Sequence, residues 1–237
     1  MLVLAIDTAT PAVTTGLVRV DDDTATVLAQ RVTVDARAHG ELLTPQIRAA
    51  VADAGVELDA VDAVVCGAGP GPFTGLRVGM VTAAALGHAL DRPVYPVCSL
   101  DAVAAEALAA LDSDTDGAGR DAVSLLVVTD ARRREVYWAG YDATGRRREG
   151  PYVQRPADLA ARLPELGVRR AAGQGVELYA DVLGLEMLEP RFPSPWGLAA
   201  AAAPALRAGA EPAPLTPLYL RRPDAVEPGA RKRVSQR

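Results

Sequence analysis

Lysine is almost missing from this chain: Lys232 is the only one among 237 residues, and positive charge rests on arginine instead. With alanine very abundant, that bias reads as the mark of a GC-rich coding sequence. The clusters Arg132-Arg133-Arg134, Arg146-Arg147-Arg148 and Arg221-Arg222 are therefore read as solvated hairpin ends and not as a binding surface. Histidine is nearly as scarce, with only His39 and His88, which leaves little from which to build an imidazole metal site. Two cysteines, Cys66 and Cys98, each close a predicted strand. That excludes a disulfide framework and predicts two buried thiols in a cytoplasmic protein. No apolar run reaches the length of a membrane span without polar interruption. The opening MLVLAIDTAT lacks a basic n-region and meets Asp7 early, so it does not read as a secretory signal. A net charge of -5 and a pI of about 5.1 exclude a broad nucleic-acid-binding face.

What is present is alternation. Residues 2–8 form a short apolar run ending beside Asp7, residues 13–20 a second, and residues 24–34 a β-branched third. These predict three strands joined by tight turns. Leu43, Ile47, Ala50, Val51 and Ala54 share one face of a helix that starts near His39 and Glu41 and that Gly55 ends. A strand at 61–66, a helix at 74–90 and a strand at 93–97 follow. The order βββαβαβ implies a mixed sheet with helices on its faces. After a helix at 100–111 and the polar linker DSDTDGAGR, the pattern recurs. A strand again ends in an acid, Asp130, and a second glycine turn stands at 173–175. Two related half-domains are expected. The predicted organisation is a first lobe at 1–100 and a second at 101–210, whose last helix packs back on the first. A proline-rich, partly disordered tail at 211–237 ends in the basic ARKRVSQR.

Residues 67–80, GAGPGPFTGLRVGM, raise a choice between a phosphate cradle and a loop that serves the helix behind it. Neither GxxxxGK[ST] nor GxGxxG is satisfied, and Pro70 and Pro72 remove two amide donors that a phosphate nest would use. Beyond the loop, Gly75, Gly79, Ala83 and Gly87 recur every four residues. They form a ridge almost without side chains, and each interior glycine costs a helix about 1 kcal/mol relative to alanine. Leu76, Met80, Ala84 and His88 form the next ridge, and only Arg77 carries a fixed charge. Such a helix is expected to be covered all round. The reading preferred from the residues is that one face covers the sheet and the other meets a partner chain beside the first helix; burial under the second lobe is the alternative.

AIDTAT, HGELLTP, GPGPFTGLRVGMVTAAALGHAL, DARRREVYWA and PLYLRRPDA resemble, in order, the signatures of the bacterial TsaB (YeaZ) family, from Leu2 to about Ala225. Where the family usually carries serine, this chain has Pro72 and Gly40. The resemblance implies an α/β protein of the actin-like ATPase (ASKHA, ribonuclease H-like) fold, with two lobes each built on a mixed sheet flanked by helices. It implies a supporting subunit of the complex that adds a threonylcarbamoyl group to N6 of adenosine 37 in tRNAs reading codons that begin with A. The implied partners are the catalytic paralogue TsaD, bound through the first two helices, the ATPase TsaE, and tRNA indirectly. The chain would pair with itself when TsaD is absent. The expected contact residues are Leu42, Gln46, Gly75, Leu76, Gly79, Met80, Ala83 and Gly87.

TsaD carries an HxxxH metal pair after its glycine-loop helix. The corresponding stretch here, PVYPVCSLDAVA, puts Ser99 and Val103 at those places, and a valine cannot ligate. No catalytic residue, no metal and no required cofactor are therefore expected. A nucleotide at the complex interface is left open, with Asp7 and Thr8 as its candidate contacts. The rival reading is an ATP-dependent kinase or hydrolase using Asp7 and Asp130. Against it, Thr8-Ala9-Thr10-Pro11 stands where ATP-using members of the fold place a glycine, which narrows the approach of a phosphate.

Overall fold

The computed structural model describes residues 1–111 and 123–221. The polar linker and the basic tail beyond Arg221 lie outside them. Three antiparallel strands open the chain: β1 (Leu2–Asp7), β2 (Ala12–Val20) and β3 (Ala25–Val34). Next come α1 (His39–Ala54), β4 (Ala63–Gly67), α2 (Phe73–Leu90), β5 (Val94–Val97) and α3 (Ser99–Ala109). The second run is β6 (Leu125–Asp130), β7 (Val136–Tyr141), β8 (Arg147–Gln154), α4 (Pro156–Leu166), β9 (Arg170–Ala172), α5 (Gln174–Leu178), α6 (Ala180–Leu183), β10 (Glu186–Leu188) and α7 (Pro195–Arg207).

The two sheets share one plan. The first has order β3-β2-β1-β4-β5 and the second β8-β7-β6-β9-β10. In each, an antiparallel meander is extended by two parallel strands. β1, apolar on both faces, is the central strand of the first sheet and is buried throughout most of its length. This duplicated mixed sheet is the actin-like architecture.

Helices cover every face. Leu43, Ile47 and Ala50 of α1 and Leu76, Met80 and Ala83 of α2 pack on one side of the first sheet, against Leu4, Ile6, Val64 and Cys66. α1 stops where Gly55 takes a left-handed conformation at φ 65°. The other side is closed by α7, whose Leu198, Ala199, Ala202 and Leu206 meet Val3, Ala5, Val18 and Val65. α7 is capped by Ser194, which accepts from the Gly197 amide at 3.0 Å. In the second lobe Leu100, Val103 and Ala107 of α3 pack on Leu125, Val127 and Tyr141. Leu159, Val176 and Leu183 fill the opposite face against Leu126, Val128 and Trp138. Cys66 and Cys98 are buried and unbridged, and burial pushes both thiols well above their ordinary range, as inert structural cysteines require.

Residues 211–221 contain no helix or strand, yet they are placed firmly. Leu218 donates its amide to the Ala68 carbonyl at 2.8 Å. Leu215 packs on the first-lobe core, and Leu218 and Leu220 on the second. This segment is a strap stitched to both lobes.

Candidate functional site

The tips of β1 and β6 lie toward the space between the lobes, where residues just beyond each strand line the cavities. At β1, Asp7 is fully buried. Its Oδ1 accepts the Ala9 amide at 2.8 Å and its Oδ2 accepts the Ser99 hydroxyl. Gly67 lies directly beneath: a Cβ there would stand 1.7 Å from Oδ2. Burial pushes the carboxyl up to about 6, and the Ser99 hydroxyl, the Ala9 amide and His39 pull it partly back. His39 is buried too, and its Nε2–H donates to the Thr10 carbonyl at 2.8 Å; His88 is exposed on α2. Asp7 lines neither cavity between the lobes.

Ser99 and Val103 are both completely buried. The Ser99 hydroxyl is committed to Asp7, and Val103 sits in the apolar layer between α3 and the second sheet. The metal pair of the catalytic paralogue does not fit these residues. Among the described residues no group of three or more metal-capable side chains comes together. None of their helices is long and apolar enough to cross a membrane.

The hydroxyl of Thr8, a candidate nucleotide contact, is engaged by α2. It donates to the Gly75 carbonyl at 2.7 Å and accepts the Gly79 amide at 2.8 Å. The small-residue ridge of α2 is therefore used inside this chain. A Cβ on Gly79 would lie 2.5 Å from Thr8 Oγ1, and one on Gly87 would lie 2.3 Å from Val94 Cγ2. Gly75, Leu76, Gly79, Met80, Ala83 and Gly87 are all buried, as is Gln46 of α1. Within the chain these side chains face its own sheet and leave the opposite side of α2 to solvent. Of the expected set only Leu42 keeps partial exposure.

The outward face of α2 includes Thr74, Arg77, Val81, Ala84, Ala85 and His88. Val81 is 66% exposed, unusually open for a valine in mid-helix. Half-buried Val78 and Leu42 adjoin this face from α2 and α1.

At β6, Asp130 accepts the Arg132 amide at 2.9 Å and lies 3.7 Å from the Arg132 guanidinium. Arg132, Arg133 and Arg134 all adopt left-handed backbone, at φ 62°, 54° and 61°. Side-chain-bearing residues pay about 1–2 kcal/mol each for that conformation. The turn is tied down by Arg221, which donates to the Ala131 carbonyl at 3.2 Å and pairs with Glu135. Arg132 and Arg133 line a cavity of about 380 Å³ between the lobes, with Phe73, Tyr137, Tyr219 and Arg221. A second cavity of about 240 Å³ shares Phe73 and Arg132 and adds Thr8, Arg37 and His39. Among the described residues no carboxylate lines either one. Composition argued for setting these arginines aside as solvated hairpin ends; the structure puts two of them at the cleft. The signal was present in DARRREVYWA, one of the stretches that carry the family resemblance.

A model of the TsaD family, tRNA N6-adenosine threonylcarbamoyltransferase, matches residues 26–204. An uncharacterized protein of Mycobacterium tuberculosis is 54% identical over 223 residues, covering 94% of this chain and 93% of its own. The Escherichia coli tRNA threonylcarbamoyladenosine biosynthesis protein TsaB is 31% identical over 189 residues, 77% of this chain and 75% of its own. The crystal structure of YeaZ from Pseudomonas aeruginosa superposes with a TM-score of 0.70 at 29% identity, over 92% of this chain and 99% of that one. Sequence and fold agree along nearly the full length, and the chain belongs to the TsaB (YeaZ) family, a sister of TsaD.

Proposed function

We propose that this chain is a non-catalytic, cytoplasmic subunit of the machinery that makes threonylcarbamoyladenosine on tRNA, and that it docks on TsaD through the outward faces of α1 and α2. The observation that carries the docking surface is the face around Val81. α2 has its inner ridge fully satisfied by its own sheet, yet it presents a second strip with one fixed charge, Arg77, and an open valine. The names of the TsaB relatives support the pathway, and the match to the TsaD model supports a pairing of paralogues. In the absence of TsaD the same strip serves self-association, and TsaE joins the larger complex. A nucleotide at the junction is held by arginines of the interlobe cleft, Arg132 foremost, and not by Asp7 or Thr8, whose polar atoms are engaged within the chain.

Val81→Asp tests the surface. The substituted side chain is exposed, so the melting temperature is expected to move by no more than a degree or two. Co-purification with TsaD is expected to be lost, with affinity down roughly 100-fold, about 2.7 kcal/mol. Wild-type binding by this variant would remove the docking surface. Reconstituted tRNA modification with and without the chain tests the function, and full modification in its absence overturns it. Magnesium-dependent ATP turnover by the isolated chain, abolished in Asp7→Ala, would favour the ATP-using enzyme instead.

A further inference from the structure

Thr8 occupies a rung of another element's backbone. In an unbroken α-helix the Gly75 carbonyl and the Gly79 amide pair with each other. Here the Thr8 hydroxyl bonds to both, donating at 2.7 Å and accepting at 2.8 Å, and it is buried with them. A side chain inserted into the ladder is one of the few causes that set a helix's local direction. The glycines at 75 and 79 are what let Thr8, just beyond β1, come this close. On the outer side the same turn is gripped again. Phe73 stacks on Tyr219 at 5.2 Å, the Arg77 guanidinium lies 3.7 Å above Phe73, and Arg77 Nε donates to the Tyr219 hydroxyl at 2.7 Å. Thr74, Val78 and Val81 are spaced along the turns on either side of the Gly75–Gly79 rung, on the side of α2 away from the ridge.

We propose that Thr8 is a positioning residue for partner docking. Its hydroxyl fixes the height and rotation of α2 on the first sheet, and so sets the pose in which the Val81 strip meets TsaD. The inference rests on the docking reading above and adds to it a residue that never touches the partner. Thr8→Val keeps the shape and removes both hydrogen bonds; Thr8→Ser keeps both.

The measurements are amide exchange at Gly79 in the isolated full chain and affinity for TsaD by calorimetric titration. Thr8→Val is expected to speed Gly79 exchange and to weaken TsaD binding, each by at least roughly tenfold. Thr8→Ser is expected to stay within about threefold of wild type in both. Leu159→Ala, in the second-lobe core, destabilises the chain without touching α2 and is expected to bind normally once folded. Should Thr8→Val not fold, Thr8→Ala read at lower temperature takes its place. Normal binding by a folded Thr8→Val, or equal weakening by Leu159→Ala, overturns the positioning role while leaving the docking surface intact. Failure of the wild type to bind TsaD overturns both.

Discussion

Gly67→Ala is expected to yield little or no soluble protein, with any folded fraction melting roughly 10 °C lower, a loss above about 3 kcal/mol. Local propensity predicts the reverse, because alanine is the less costly residue in regular secondary structure. The added methyl would stand 1.7 Å from Asp7 Oδ2 and 2.9 Å from Ser99 Oγ, at the centre of the first sheet, where neither side chain has room to retreat. Gly79→Ala follows the same logic more mildly, since its methyl would meet Thr8 Oγ1 at 2.5 Å. Gly40→Ala is the control: no described residue lies within 4 Å of its added Cβ, so a gain of up to about 1 kcal/mol is expected. Thermal melts of the three variants check the pattern. Equal effects at 67 and 40 would show that β1 and β4 are not packed as described.

Asp7→Asn is expected to stabilise the protein at neutral pH, by as much as about 3 kcal/mol if the amide keeps both hydrogen bonds. Burial raises the folded-state carboxyl from 3.8 to about 6. Between those values the folded chain binds more protons than the unfolded one. The stability contributed by a protonated Asp7 is therefore complete below about pH 4 and is lost as pH rises through 6. Asparagine does not titrate, so its advantage over wild type should be absent near pH 4, grow to pH 7 and then level off. Urea titrations of both proteins across that range read the difference directly. Loss of folding in Asp7→Asn, or a gap that does not change with pH, would mean that Asp7 is held ionised, as a metal- or phosphate-binding acid would be. Retention of tRNA modification by the variant is the companion result that the proposed non-catalytic role predicts.

The sequence announced the elements and their duplication well, because period and punctuation are local. Apolar runs ending in Asp7 and Asp130, and glycine turns at matching places, mark the repeat without any knowledge of contacts. The direction in which α2 turns its small residues was not legible. A row of glycines says that a backbone approaches; it does not say whether that backbone is the chain's own or another's. The deciding atom, Thr8 Oγ1, comes from an element some seventy residues earlier. The arginine turn was missed for a different reason. Composition made arginine look uninformative, and three successive left-handed residues without glycine have no local sequence signature. The strap was hidden because prolines in the tail suggested disorder, whereas the apolar residues Leu215, Leu218 and Leu220 anchor it.

The position of α7 orders events on the ribosome. Val3, Ala5 and Val18 emerge well before the helix that shields them from water, which ends only at Arg207. The first sheet must wait, half-dressed, until α7 has been synthesised. Nascent chains released early are then the aggregation-prone species, and a holding chaperone would find its natural grip on that bare sheet.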